Sequence, residues 1–213
     1  MVKVVSVFAL LGSVALVCFQ SSLLPFNEVS QPAVVTQENA TAQEGVVDFD
    51  KKLKEMGHEL PPVSSAVGIY RSVVVVGNMA YLAGHIPRSA EGEILRGKVG
   101  DDVTLEQAQA AAKRSGLAML ASLKAELGTL NRVKRLVKTT GMVNCTADFV
   151  DQPKVVNGCS ELFRDLFGQE NGVGARAAVG MSSLPAGAIV EICLLYTSPS
   201  PRDLSTSRMP SSA

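Results

Sequence analysis

The chain has 213 residues, with 20 lysines and arginines against 20 aspartates and glutamates, so its formal net charge is zero. A dedicated nucleic-acid-binding protein usually carries a basic excess, and this composition argues against that class. Hydrophobic residues make up 46% of the chain and charged residues 19%, which excludes a wholly disordered protein. The four cysteines show no CxxC spacing and the two histidines lie far apart, so the sequence does not support a zinc site.

Residues 1–48 predict a targeting leader followed by a linker. Val4 to Phe19 is a mostly apolar run behind the single charge of Lys3. It is shorter than the ~20 residues of a membrane-spanning helix, so it favours a secretory signal peptide and no stable membrane span. An N-terminal anchor or a mispredicted start codon is the alternative. Residues 20–48 are polar and acidic, as in a linker or the rest of a presequence.

The folded region begins with a short helix and a hairpin. Residues 50–57 predict a charged surface helix that ends at a glycine. The β-branched run 67–76 and the run 79–84 predict two strands, and the Gly77-Asn78 pair between them predicts a tight turn. Residues 91–95 predict a short edge strand.

The next segment, residues 104–127, is the clearest helix of the sequence. Its apolar residues recur at helical spacing, and Thr104 and Gln107 have the spacing of a capping box. Gly128 then predicts the end of the helix. Many alanines on this segment predict close packing against a sheet.

The remaining elements complete a two-layer fold. Residues 133–144 predict a strand, residues 155–167 a helix that ends at Gly168, and residues 175–181 and 188–192 two further strands. This order predicts an α+β domain in which a mixed sheet carries two long helices on one face. The uncovered face of such a sheet favours a homo-oligomer.

The last 21 residues, 193–213, do not continue this pattern. They contain six serines and three prolines, which is typical of a disordered tail. CLLYTSPSPRD also resembles one reading frame of a transposase adapter used in sequencing libraries. We therefore interpret residues 193–213 as a non-native or disordered tail, and residues 49–192 as the domain.

Two charged residues stand within otherwise apolar strands. Arg176 lies in GARAAVG, where a planar guanidinium could bind a carboxylate through two hydrogen bonds. A structural ion pair with Glu191, or an exposed edge position, is the alternative. Glu191 lies in AIVEI, where burial would raise its pKa and suit it to proton transfer or water positioning. Tyr70 could donate a hydrogen bond or belong to the core.

The whole stretch from residue 50 to 192 resembles the RidA (YjgF) family of reactive-intermediate deaminases. The resemblance rests on IYRSVVVVGNMAYLAGHIP, GKVGDDVTLEQAQAAAKRSGLAMLASLKAELG, RVKRLVKTTGMVN and GARAAVGMSSLPAGAIVEI, in this order. It implies a chorismate-mutase-like α+β fold and homotrimers with ligand sites in the clefts between subunits. It further implies hydrolysis of enamines and imines to 2-keto acids and ammonia, with no metal or organic cofactor. The family also points to the cytosol, mitochondria or plastids as alternatives to the secretory route.

The resemblance assigns roles to four residues. Arg176 stands where the family binds the substrate carboxylate, and Glu191, fifteen positions later, where it orients water. Tyr70 matches a tyrosine of the first strand that lines the cleft. Gly84 matches a glycine whose neighbourhood contacts the ligand through the backbone.

The sequence departs from the family pattern at three positions. The family's SGQIP reads AGHIP here, with Ala83 and His85, and Ala178 stands where many members have cysteine. These changes indicate a divergent branch, so a trimeric protein that binds small carboxylates without turnover is the alternative function. RNA cleavage is disfavoured because the chain has no basic stripe.

Overall fold

The computed structural model describes residues 47–198. All of the predicted leader except residues 47 and 48, and residues 199–213 of the predicted tail, lie outside the described residues. The elements are, in chain order, α1 (Phe49–Glu55), β1 (Val73–Val76), β2 (Met79–His85), α2 (Leu105–Leu127), the 3-10 turn Leu130–Arg132, β3 (Arg135–Asn144), α3 (Gln152–Gly172), β4 (Ala175–Met181), the 3-10 turn Pro185–Gly187 and β5 (Val190–Thr197). In this part of the chain, no helix combines the length and the apolar character needed to cross a bilayer.

The five strands form one mixed sheet in the order β1-β2-β5-β3-β4. β3 and β4 run parallel, because α3 carries the chain back between them, and the other neighbours are antiparallel. α2 and α3 pack against each other and against one face of the sheet, with the hydrophobic core between the layers. The predicted two-layer α+β fold with two long helices on one face is confirmed.

The long helix α2 begins and ends where the sequence predicts. The Thr104 hydroxyl accepts a hydrogen bond from the backbone N–H of Gln107 at 3.3 Å, and the Gln107 side chain accepts one from the Thr104 N–H at 2.9 Å. Gly128 ends the helix with a φ of 85°, a value that glycine adopts without strain.

Glycines let α3 lie close to both of its neighbours. A Cβ at Gly116 of α2 would lie 3.0 Å from Cδ2 of Leu162 and 3.1 Å from Sγ of Cys159. A Cβ at Gly141 of β3 would lie 2.9 Å from Cγ1 of Val156. α3 is therefore held near the β4 edge of the sheet, which decides what the β4 side chains meet.

The first strand is shorter than predicted. β1 covers Val73–Val76, whereas residues 67–70 form a bend in which the Tyr70 N–H donates to the Gly68 carbonyl at 3.0 Å. Its β-branched residues favour a strand, but the register of β2 gives it no ladder partner before Val73. The prediction that Tyr70 belongs to the first strand is therefore wrong.

Two further elements differ locally from the predictions. Residues 91–95 form no strand, since only an isolated bridge joins Arg88 and Ile94 there. α3 begins three residues earlier than predicted, and Gly168 interrupts it with a φ of 84° and a ψ of 169° before a further turn follows. Gly168 therefore breaks the helix as expected, although the chain then coils again.

The last strand continues beyond Ile192, where the sequence predicts that the domain ends. β5 runs to Thr197, and its side chains alternate between the core and the other face. Leu194 and Tyr196 are 4% and 0% exposed, so both belong to the core. The predicted boundary therefore lies within a strand, while a non-native origin of residues 193–213 stays a prediction.

We expect a chain that stops at Ile192 not to fold. Four of the five residue pairs between β2 and β5 involve residues 194–197, so this truncation detaches the hairpin of β1 and β2. It also removes two core side chains that each stabilise by about 1.5–3 kcal/mol, against a typical total of about 5–15 kcal/mol. Circular dichroism and thermal melts would compare it with a chain that stops at Ser198, which should melt cooperatively. A cooperative transition in both would contradict the expectation.

Candidate functional site

Arg176 lies on the edge strand β4 and faces the helix layer. Its partner in the parallel ladder is Thr139, which is buried beneath the helices, and paired residues share a face. The guanidinium Nη1 donates to Oδ1 of Asn157 at 2.7 Å and to Oγ of Ser160 at 3.2 Å, both on α3. The arginine is exposed, so the edge position is observed, and the alternative of an ion pair with Glu191 is wrong.

Asn157 and Ser160 are partners of Arg176 that the sequence reasoning missed. They lie three positions apart on one side of α3, so they face the same point of the β4 edge. Both contacts use one nitrogen of the five-donor fork. The guanidinium is thus held in place by neutral groups that leave its charge available to an anion.

Cys159 lies between these two residues in the chain but is a core residue. Burial raises the pKa of its thiol far above the usual value, and the nearby charge of Arg176 offsets only part of this effect. A thiol in this state is not a nucleophile. Cys145 is buried as well, so both residues pack as small hydrophobic side chains.

Glu191 lies on β5 and points away from the helices. It pairs with Met142 of β3, and the next residue, Ile192, fills the core. Partial burial raises the pKa of the Glu191 carboxyl, as its sequence context predicts. A carboxyl with a raised pKa is a stronger proton acceptor than an ordinary one.

The Glu191 carboxyl packs directly against the backbone of Gly84. A Cβ at Gly84 would lie 2.6 Å from Cδ and 2.9 Å from Cγ of Glu191, so no larger residue fits without displacing the glutamate. The β2–β5 register shifts between Leu82 and His85, which places Gly84 in the irregular part of the strand. The structure therefore brings together two of the four predicted site residues.

Arg176 and Tyr70 do not join this pair within one chain. β4 and β5 are separated by β3, which puts their strands about 10 Å apart. Arg176 and Glu191 also point from opposite faces of the sheet. Tyr70 is 51% exposed in the bend before β1.

The face of the sheet that lacks helices, called the open face here, is largely apolar. Its exposed large hydrophobic residues come from β1, β2 and β4, and two residues of β5 are half-buried between them. The exposed residues are Val74, Val76, Tyr81, Val179 and Met181, and the half-buried ones are Cys193 and Leu195. Glu191 is a half-buried carboxyl within this apolar surface.

Comparisons with known proteins cover the same part of the chain. A family model described as "YjgF/chorismate_mutase-like, putative endoribonuclease" matches residues 50–199. Protein TCP17 of Trypanosoma cruzi is 38% identical over 140 residues, which is 66% of this chain and 88% of that protein. The crystal structure of Atu1372 from Agrobacterium tumefaciens is 38% identical with a TM-score of 0.64, and the match covers 70% of this chain and 91% of that one. A structure from Shewanella oneidensis, titled as a putative endoribonuclease, is 26% identical with a TM-score of 0.68 over 71% of this chain and 99% of that one.

We expect Gly84→Ala to be destabilising because its methyl group and the Glu191 carboxyl require the same space. Replacing the glutamate as well should recover most of the loss, with a coupling free energy of about 0.5–3 kcal/mol. Urea unfolding of Gly84→Ala, Glu191→Ala and the double variant measures this coupling. Gly68→Ala, whose new Cβ would meet only the Tyr70 ring at 3.4 Å, is the control. Additive effects would show that the two side chains do not compete.

We expect Glu191→Gln to raise the melting temperature at pH 7 and to leave it unchanged near pH 3.5. A carboxyl whose folded-state pKa is raised binds more protons in the folded than in the unfolded chain, so its stability contribution falls as the pH rises through that pKa. The amide removes this loss. Calorimetry across this pH range tests the sign, and equal melting temperatures at pH 7 would contradict it.

Proposed function

Because this chain belongs to the YjgF/chorismate mutase-like family, we propose that it hydrolyses reactive enamines and imines to 2-keto acids and ammonia. Compounds of the 2-aminoacrylate and 2-iminobutanoate type are the substrates. The observation that carries the proposal is the presence in one chain of two features: an exposed, hydrogen-bonded guanidinium and a carboxyl of raised pKa that packs against a glycine.

The chemistry needs little beyond these groups. The Arg176 guanidinium binds the substrate carboxylate and so fixes the position of the imine carbon. The Glu191 carboxylate accepts a proton from a water molecule as the water oxygen bonds to that carbon. That proton passes to the imine nitrogen, which leaves a hydroxyl and an amino group on the same carbon. The hydroxyl proton then passes to the amino group, the C–N bond breaks, and ammonia leaves while the oxygen becomes the keto group. Atoms and charge balance without a redox partner.

We further propose that the working unit is a homotrimer whose site lies between two chains. In one chain the guanidinium and the carboxyl point from opposite faces of the sheet, so a single chain does not hold both on one small substrate. One chain would supply Arg176, and the next would supply Glu191 and Gly84 together with the Tyr70 hydroxyl. The apolar open face supports such an association, since a large uncovered apolar surface favours a partner.

The leader bears on where this reaction takes place. We propose that residues 1–48 direct the chain to the secretory pathway or an organelle, with the cytosol or a mitochondrion as the alternative. Imaging a full-length chain tagged at its C-terminus, beside a chain that lacks residues 1–48, distinguishes these compartments.

Ammonia release from freshly generated 2-iminobutanoate tests the reaction. We expect Arg176→Ala to lower kcat/KM roughly 100-fold, because a charge-assisted contact to the substrate is lost. Glu191→Gln should lower kcat by about 10²–10⁴ with a smaller change in KM. Arg164→Ala is the matched control, since Arg164 on α3 is also exposed but is paired with Asp165.

Two results would count against deamination, and a third against the role of Arg176. Wild-type protein that binds 2-ketobutyrate through Arg176 but releases no ammonia would be a carboxylate-binding protein without turnover. Cleavage of single-stranded RNA in the absence of Mg²⁺ would instead support the endoribonuclease description of the family. Equal activity of Arg176→Ala and Arg164→Ala would remove Arg176 from the site.

Mixing the two inactive variants tests the shared site. If each site takes Arg176 from one chain and Glu191 from the next, co-refolded Arg176→Ala and Glu191→Gln should regain activity at about one quarter of the sites, since the chains of a cyclic trimer assort at random. Each variant refolded alone is the control. No recovery from a well-folded mixture would show that both groups come from one chain.

A further inference from the structure

His85, the last residue of β2, connects the strand to the helix layer. It pairs with Ile192, which fills the core, so its ring lies on the helix side of the sheet and not on the open face. The ring nitrogen Nδ1 lies 2.8 Å from the carbonyl oxygen of Ala83. The other nitrogen, Nε2, lies 2.8 Å from Oγ of Ser122, which is buried on α2.

These partners define the state of the ring. A carbonyl oxygen only accepts, so Nδ1 carries the hydrogen and donates it to Ala83. In the neutral ring Nε2 then accepts from the Ser122 hydroxyl. Burial lowers the pKa of His85, which favours this neutral form. Both nitrogens of the ring are therefore used in holding the backbone, and neither is free for proton transfer.

The backbone held in this way is the irregular part of β2. The Ala83 N–H donates to the Ser72 carbonyl at 3.0 Å, while the Ala83 carbonyl accepts from His85. The Ala83 residue is thus fixed from both sides. Gly84 lies between Ala83 and His85, with the Glu191 carboxyl directly over it on the opposite face.

We propose that His85 and Ser122 form a positioning pair for Glu191. Their hydrogen bonds fix the position and direction of the β2 segment against which the Glu191 carboxyl packs. The inference rests on the proposed function, because it gives this pair a role in the hydrolytic step. His85 cannot touch a substrate beside the Glu191 carboxyl, since the sheet separates the His85 ring from the open face. It acts through Gly84, whose Cα must stay where the carboxyl can lie over it. A histidine in place of the family's usual glutamine at this position thus serves the site through geometry.

Buried serines of α2 offer a matched pair of variants. Ser122 and Ser115 are 4% and 0% exposed, but among the described residues Ser115 Oγ has no hydrogen-bond partner. We expect Ser122→Ala to lower kcat about 3- to 10-fold and His85→Leu about 10- to 100-fold, because small displacements of a catalytic group are costly. KM should stay within about twofold, since Arg176 binds the substrate carboxylate independently.

Two controls separate positioning from simple loss of structure. Ser115→Ala should keep wild-type kcat, because it removes no hydrogen bond within the described part of the chain. His85→Gln should recover most of the activity lost in His85→Leu, because an amide also offers a donor and an acceptor. Equal kcat for wild type, Ser122→Ala and His85→Leu would overturn the proposal. A change in KM with no change in kcat would overturn it as well.

A titration that needs no turnover distinguishes this proposal from the proposed function. Carbon-13 NMR of the glutamate carboxyls measures the pKa of Glu191 directly, and the Glu191→Gln variant assigns its signal. We expect the pKa of Glu191 to move toward that of an exposed carboxyl in His85→Leu and Ser122→Ala, and to stay unchanged in Ser115→Ala. If the wild type releases no ammonia but the two variants show these pKa shifts, the proposed reaction is rejected and the positioning pair is supported. Unchanged titration in all variants rejects the positioning pair.

Discussion

The alternation of side chains along β-strands decides which functional groups of this molecule can share a site. Along β5, Ile192 and Leu194 enter the core. Because side chains alternate along a strand, Glu191, which directly precedes Ile192, must face away from the helices. On β4, register with Thr139 sends Arg176 toward the helices. A shift of one residue in either strand would exchange the faces and also bury the wrong side chains, so the core itself enforces the separation.

This separation explains why the arginine and the glutamate need different supports. Arg176 is at an edge and exposed, and two neutral groups of α3 hold it without cancelling its charge. Glu191 lies on a central strand in an apolar surface, where burial acts on its pKa and the backbone of Gly84 limits its position. A small anion held between such groups must be reached from two directions, which the proposed contact between chains would supply.

The sequence predicts the helices and the sheet well but the site only in part. Helix spacing, the capping box at Thr104 and the glycine after Leu127 are local signals, and local signals are sufficient for elements that need no distant partner. Residues 67–72 have strand propensity yet lack a neighbouring strand, so propensity alone misplaces Tyr70. The link between Arg176 and Asn157 depends on how closely α3 approaches the sheet at Gly141, and the link between His85 and Ser122 on how α2 meets β2, so these are facts of packing.

The end of β5 belongs to a central strand, where the inward side chains must be apolar or have hydrogen-bond partners. Residues 193–197 lie between β2 and β3, and their alternation of Leu194 and Tyr196 inward suits that position. Yet the Tyr196 hydroxyl is fully buried with no hydrogen-bond partner among the described residues, and burial raises its pKa well above the usual value. An unpaired hydroxyl costs free energy that a phenylalanine or an aliphatic residue would avoid. The Ser198 hydroxyl, just beyond the strand, is buried in the same way. Two buried hydroxyls without partners among the described residues therefore follow Ile192 within six residues, and each lowers the stability that the end of β5 contributes.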